Sequence, residues 1–202
     1  MAAKQSQRTA TIERRTGETD VRLSLMLEGS GAGTRETGVG FLDHMLDLLA
    51  RHGRLDLKVK VSGDLQTGAH HTAEDTAIVL GQALDGALGD RSGIVRYGAA
   101  TVPMDEARAS CAIDISGRPF TDFEADLPPG STGGFEHELT EEFFRALANA
   151  AKLTLHLRVE AGSNAHHMIE AAFKAFARAL RQAAAIDPGE SGVPSTKGTL
   201  TA

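Results

Sequence analysis

Residues 70–74 read His70-His71-Thr72-Ala73-Glu74, and residues 166–170 read His166-His167-Met168-Ile169-Glu170. The sequence around these two His-His-x-x-Glu strings repeats as well. Residues 41–84 can be laid on 139–180 with one two-residue gap between a strand and the next helix. Leu49-Ala50 then meets Leu147-Ala148, and Leu55, Leu57 and Val61 meet Leu153, Leu155 and Val159. Two amphipathic units could share leucines by patterning alone, but not paired histidines at matching places. The chain therefore reads as an internal duplication of helix–strand–helix units. The expected class is α/β, an α+β sandwich of duplicated αβα units with helices packed on a mixed β-sheet about a pseudo-two-fold axis.

Outward from the repeat, Val21–Leu27 alternates apolar and polar residues and stops at Glu28-Gly29-Ser30-Gly31, which predicts a strand and a turn. A helical stripe from Gly40 ends near Gly53, Leu55–Val61 alternates as a strand, and a second helix is expected over about Thr72–Leu88. Residues 96–123 read as strands, with Ala107–Ile115 one of them, and 126–134 as a loop. The predicted organisation is one domain, 1–202, of two similar halves (about 9–95 and 96–187) followed by a tail, 188–202.

With 21 Lys+Arg against 27 Asp+Glu, the net charge of −6 lacks the footprint of a nucleic-acid or anionic-membrane binder. A lone Cys111 excludes an intramolecular disulfide and any CxxC site. The polar N-terminus and the lack of an apolar run of about 18 residues lead us to expect a cytoplasmic protein.

On a helix, Glu74 shares a face with His70 and His71, while adjacent side chains diverge by about 100°. One helix start could then serve two metals. Imidazole plus carboxylate without thiolate suits Mn, Fe, Co, Ni or Zn. His44 is a further candidate, and its repeat partner is Glu142. The candidate metal ligands are therefore His44, His70, His71, Glu74, Glu142, His166, His167 and Glu170, enough for two four-ligand sites. His52, two turns beyond His44, could meet substrate or simply sit at the helix C-terminus. Arg96, Arg118 and the Ser195-Thr196-Lys197 loop are candidates for an anion, although isolated cations are more often solvated. Glu18 and Asp105-Glu106 carry no signal by themselves.

Six stretches together resemble the imidazoleglycerol-phosphate dehydratases of histidine biosynthesis: residues 38–46 (GVGFLDHML), 70–76 (HHTAEDT), 104–107 (MDEA), 114–119 (DISGRP), 164–170 (NAHHMIE) and 194–198 (PSTKG). The resemblance runs from about Thr9 to Leu200. It implies the monofunctional form, a duplicated α/β fold, two Mn2+ ions per active site and assemblies of 24 subunits. The implied reaction dehydrates D-erythro-imidazoleglycerol phosphate to imidazole-acetol phosphate through a metal-bound imidazolate. By the same resemblance Glu18 is the proton-transfer group, with His71, Glu74 and Glu170 also at the catalytic centre. His44, His52, Arg96, Arg118, Ser195, Thr196 and Lys197 would contact the substrate, the last five around its phosphate. Two departures stand out: many members have His where this chain has Glu142, and Asp where it has Ala69.

Overall fold

The computed structural model describes residues 7–200; the first six residues of the polar N-terminal stretch and the last two of the expected tail lie outside them. Strands β1 (Thr9–Arg15), β2 (Thr19–Met26), β3 (Arg35–Glu36) and β4 (Asp56–Gly63) alternate with helices α1 (Gly40–Gly53) and α2 (His70–Leu88). The order then repeats: β5 (Tyr97–Met104), β6 (Ala107–Asp114), β7 (Phe120–Glu124), the short pair β8 (Ser131–Thr132) and β9 (Phe135–Glu136), α3 (Leu139–Ala151), β10 (Thr154–Ala161) and α4 (Ala165–Ala183). The α/β class and the duplication are as expected, with the mixed sheet realised twice. One sheet runs β1-β2-β4-β3 and the other β5-β6-β10-β7; in each, two antiparallel pairings are followed by one parallel pairing.

Alternation buries one face of each sheet, through Val21, Leu23, Leu25, Leu57 and Val59 in the first and Ala109, Cys111, Ile113, Leu155 and Leu157 in the second. The helices cover those faces and also pack across the repeat, α1 against α4 and α2 against α3. Gly81 allows the second crossing, because a Cβ there would sit 2.5 Å from the Leu147 carbonyl oxygen. Phe144 packs on both Phe173 and Phe176 of α4, with ring centroids 4.7 and 5.3 Å apart. Such burial is worth about 1.5–3 kcal/mol per large apolar side chain.

The helix α2 begins at His70 rather than Thr72, so both paired histidines lie in its first turn. The strand β1 is hard to see in the sequence because it is an edge strand, with Thr9, Thr11 and Glu13 exposed and only Ala10, Ile12 and Arg14 turned partly inward. Among the described residues no helix is long and apolar enough to cross a membrane.

Candidate active site

The Asn164 side chain caps α4 by accepting the backbone N–H of His166 at 2.9 Å, so the chain enters its helix at the paired histidines. The side chains of His166 and Glu170, one turn apart, then meet His44 from the start of α1. Glu170 Oε2 lies 3.2 Å from His166 Nε2 and 3.4 Å from His44 Nε2. One ligand atom from each of the three lies within 4.8 Å of the others. The second Glu170 oxygen meets the Lys174 ammonium. Burial pushes the Glu170 carboxyl up, but Lys174 and His44 outweigh it and hold the group below its ordinary value. Two imidazoles and an ionised carboxylate, with no thiolate, suit a first-row divalent cation.

The second histidine of each pair faces elsewhere, with ring planes at 81° between His70 and His71 and 80° between His166 and His167. His71 Nδ1 donates to Asp64 Oδ2 at 3.0 Å, and its Nε2 lies 3.6 Å from Glu18 Oε1. His167 repeats the pattern: Nδ1 donates to Glu106 Oε2 at 2.8 Å, and Nε2 lies 3.8 Å from Asp105 Oδ2. A carboxylate on Nδ1 fixes the tautomer and leaves the Nε2 lone pair for a metal, the usual support of a ligating histidine. The same bonds, from Asp64 and Glu106, raise the two histidines above the ordinary value. Glu106 is itself pulled down to about 2 by His167 and the Asn164 and Ser163 backbone. Asp64 and Glu106 escaped sequence reasoning. Asp64 lies between strand and helix with no motif, and Glu106 had only its place in residues 104–107.

The other candidate ligands are less tightly gathered within one chain. His70 Nε2 is 3.8 Å from Glu74 Oε2, while Glu142 stands half-buried on α3, the helix packed against α2. Among the described residues no three-ligand group forms around these. His52, at the end of α1, is pushed down by burial and by the cations of Lys174, Arg178 and Arg51.

Arg96, Arg118, Ser195, Thr196 and Lys197 do come together, lining a pocket of about 720 Å³ with Tyr97, Glu190, Val193 and Pro194. Asp114 accepts from Arg96 Nε at 2.7 Å and from Nη2 at 3.1 Å, while Nη1 donates to the Pro194 carbonyl at 2.8 Å. Arg96 thus also straps the tail down. The pocket lies where α2 and α4 end: Arg96 N–H donates to Ala183 O at 2.8 Å, and Arg91, just past α2, donates to Leu200 O at 3.0 Å. The paired histidines lie where the same two helices begin. Each helix has 19 residues, or about 28 Å at 1.5 Å per residue.

The family model described as imidazoleglycerol-phosphate dehydratase matches residues 37–180. The chain belongs to that family. The imidazoleglycerol-phosphate dehydratase of Moorella thermoacetica is 56% identical over 194 residues, 96% of this chain and 99% of that protein. That of Symbiobacterium thermophilum is 55% identical, over 96% of this chain and 94% of its own length. Among solved structures, the Staphylococcus aureus dehydratase superposes with a TM-score of 0.79 at 41% identity, over 89% of this chain and 98% of that one. The Pyrococcus furiosus dehydratase superposes with a TM-score of 0.81 at 35% identity, over 94% and 100%. The chain is accordingly a dehydratase, a hydro-lyase of histidine biosynthesis.

Proposed function

We propose that this dehydratase is Mn2+-dependent, with two ions per active site, and converts D-erythro-imidazoleglycerol phosphate to imidazole-acetol phosphate and water. The observation carrying the metal dependence is the convergence of His44, His166 and Glu170, supported by carboxylates on the Nδ1 atoms of His71 and His167. His44, His166 and Glu170 would hold one ion and His70, Glu74 and Glu142 the other. His71 and His167 would offer their Nε2 atoms outward. Bound metal supplies Lewis acidity that favours the ionised imidazole of the substrate.

This chain's own residues bind, orient and move protons. Arg118 and Lys197 bind the substrate phosphate as a guanidinium fork and an ammonium, with Ser195 and Thr196 hydroxyls beside them; Arg96 holds the loop in place. His52, pushed down by burial and by the cations around it, would contact substrate. The Glu18 carboxylate, 55% exposed and 3.6 Å from His71 Nε2, would carry the proton between the substrate carbon and its departing hydroxyl.

Metal ligands and anion pocket lie at opposite ends of two 19-residue helices, too far apart for one small substrate to touch both within a chain. The active site is therefore completed between copies, which supports the 24-subunit assembly implied by the family. The deciding experiment supplies purified protein with imidazoleglycerol phosphate, with Mn2+ or with a chelator, and follows the product's enolate absorbance in alkali. Mn2+-dependent product is expected, and equal turnover after verified metal removal refutes the metal scheme.

A further inference from the structure

Because the two halves share one topology, each serves as a control for the other. Strand register places Leu23 opposite Ile12 and Val59, and Cys111 opposite Ala100 and Leu157. Arg14 therefore corresponds to Val102, Thr19 to Ala107 and Glu18 to Glu106; the paired histidines set Asp75 against Ala171. In the first half three of these positions form a polar set, with Thr19 and Asp75 buried and Arg14 partly exposed. Thr19 Oγ1 donates to Asp75 Oδ2, and Arg14 Nη1 pairs with the same oxygen at 2.6 Å. Thr19 is 3% exposed and Asp75 6%. In the second half the same places hold Val102, Ala107 and Ala171, so this backbone closes without any polar set. Burying a carboxylate is costly, and the fold does not require it.

What distinguishes the halves is the carboxylate on the hairpin turn. Glu106 is fixed by His167 Nδ1 and by the Ser163 and Asn164 N–H groups. In the first half Asp64 takes the Nδ1 role, leaving the Glu18 carboxylate beside His71 Nε2. Its place must be set through its backbone. Thr16 Oγ1 accepts the N–H groups of Glu18 and Thr19 at 3.1 and 3.0 Å, and the Glu18 carbonyl accepts Asp64 N–H at 3.1 Å. Thr19, the next residue, is tied to Asp75, one turn beyond His71 on α2.

We propose that Asp75, acting through Thr19 with Arg14, is a positioning residue that sets Glu18 against the Nε2 side of His71 for proton transfer. The proposal rests on the dehydratase reading with Glu18 as the proton carrier.

The test transplants the second half's residues into the first, as the triple variant Arg14→Val, Thr19→Ala, Asp75→Ala, alongside Thr19→Val and Thr19→Ser. The triple variant keeps its Mn2+ content and particle size, while kcat falls about 10- to 100-fold, as displaced catalytic groups do, and KM changes little. Thr19→Val follows the same pattern, Thr19→Ser recovers most of the loss, and Thr19→Val adds nothing in a Glu18→Gln background. Wild-type kcat in Thr19→Val, or an equal further loss on top of Glu18→Gln, overturns the proposal. If the triple variant does not fold, Thr19→Val alone decides. A wild-type chain unable to dehydrate the substrate refutes the reaction instead. A crystal structure of Thr19→Val then judges the clamp separately: a Glu18 turn displaced from His71 supports it, and an unmoved turn overturns it.

Discussion

Nε2 of His71 lies 3.6 Å from Oε1 of Glu18, so a residue at the tip of the first hairpin meets one at the start of α2. With Asp64 on the other ring nitrogen, Glu18 is not needed to hold the ring and is available to exchange a proton. We expect Glu18→Gln to leave folding and Mn2+ content intact and to lower turnover by about 10²-fold or more, the usual weight of a general acid–base group. Steady-state kinetics beside elemental analysis makes the check; near-normal turnover would remove Glu18 from the proton transfer.

Separation of the candidate metal ligands from the pocket lined by Arg118 and Lys197 makes complementation possible. Glu18→Gln and Arg118→Ala are each expected to be nearly inactive alone, by loss of proton transfer and of phosphate binding respectively. Dissociated, mixed and reassembled with Mn2+, they should regain activity that neither has alone. No recovery in proven mixed particles would place the whole site within one chain.

If His71 and His167 reach ions held mainly by another copy, metal binding and subunit association are linked equilibria. We expect chelator, or pH near 5, to split the large particle, and Mn2+ to restore it, with His71→Ala and His167→Ala each mimicking the chelator. Size-exclusion chromatography with light scattering reads the outcome. Glu142→His should keep or strengthen Mn2+ binding, whereas Glu142→Ala should weaken it by loss of a ligand.

The pH dependence has opposite signs with and without metal. His71 and His167 are raised by Asp64 and Glu106, so in the metal-free protein these pairs stabilise fully below about pH 6.5 and lose effect as pH rises through the raised values. Mn2+ needs the neutral rings and stabilises more as pH rises. The Tm difference between Mn2+-loaded and metal-free protein should therefore widen from pH 6 to pH 8 in thermal melts. His71→Gln should flatten the metal-free profile.

Much of this was legible in the sequence because duplication writes the same signal twice. Period-two and period-3.6 patterns located β2, β4, α1 and α2, the repeat carried α3, β10 and α4, and repeated histidines marked two helix starts. The supporting carboxylates were not legible, because Asp64 and Glu106 act through contacts between turns and helix starts that no periodicity encodes. The structural duty of Arg96 was hidden for the same reason: an arginine suited to an anion equally suits Asp114 and the Pro194 carbonyl. Nor could spacing tell that the anion loop and the histidines lie at opposite helix ends.

The crossed pairing of helices, α1 on α4 and α2 on α3, bears on ancestry. A half-length forebear with the same contacts would have left two helix flanks bare as a monomer and covered both by pairing with its twin about a two-fold axis. Fusion of two such copies would replace an encounter between molecules with one within a single chain, at the high effective concentration that tethering provides. Once fused, the halves were free to diverge, and the chain records it: Glu142 opposite His44, and Glu18 on one hairpin beside His71 Nε2 while its counterpart Glu106 is tied to His167 Nδ1.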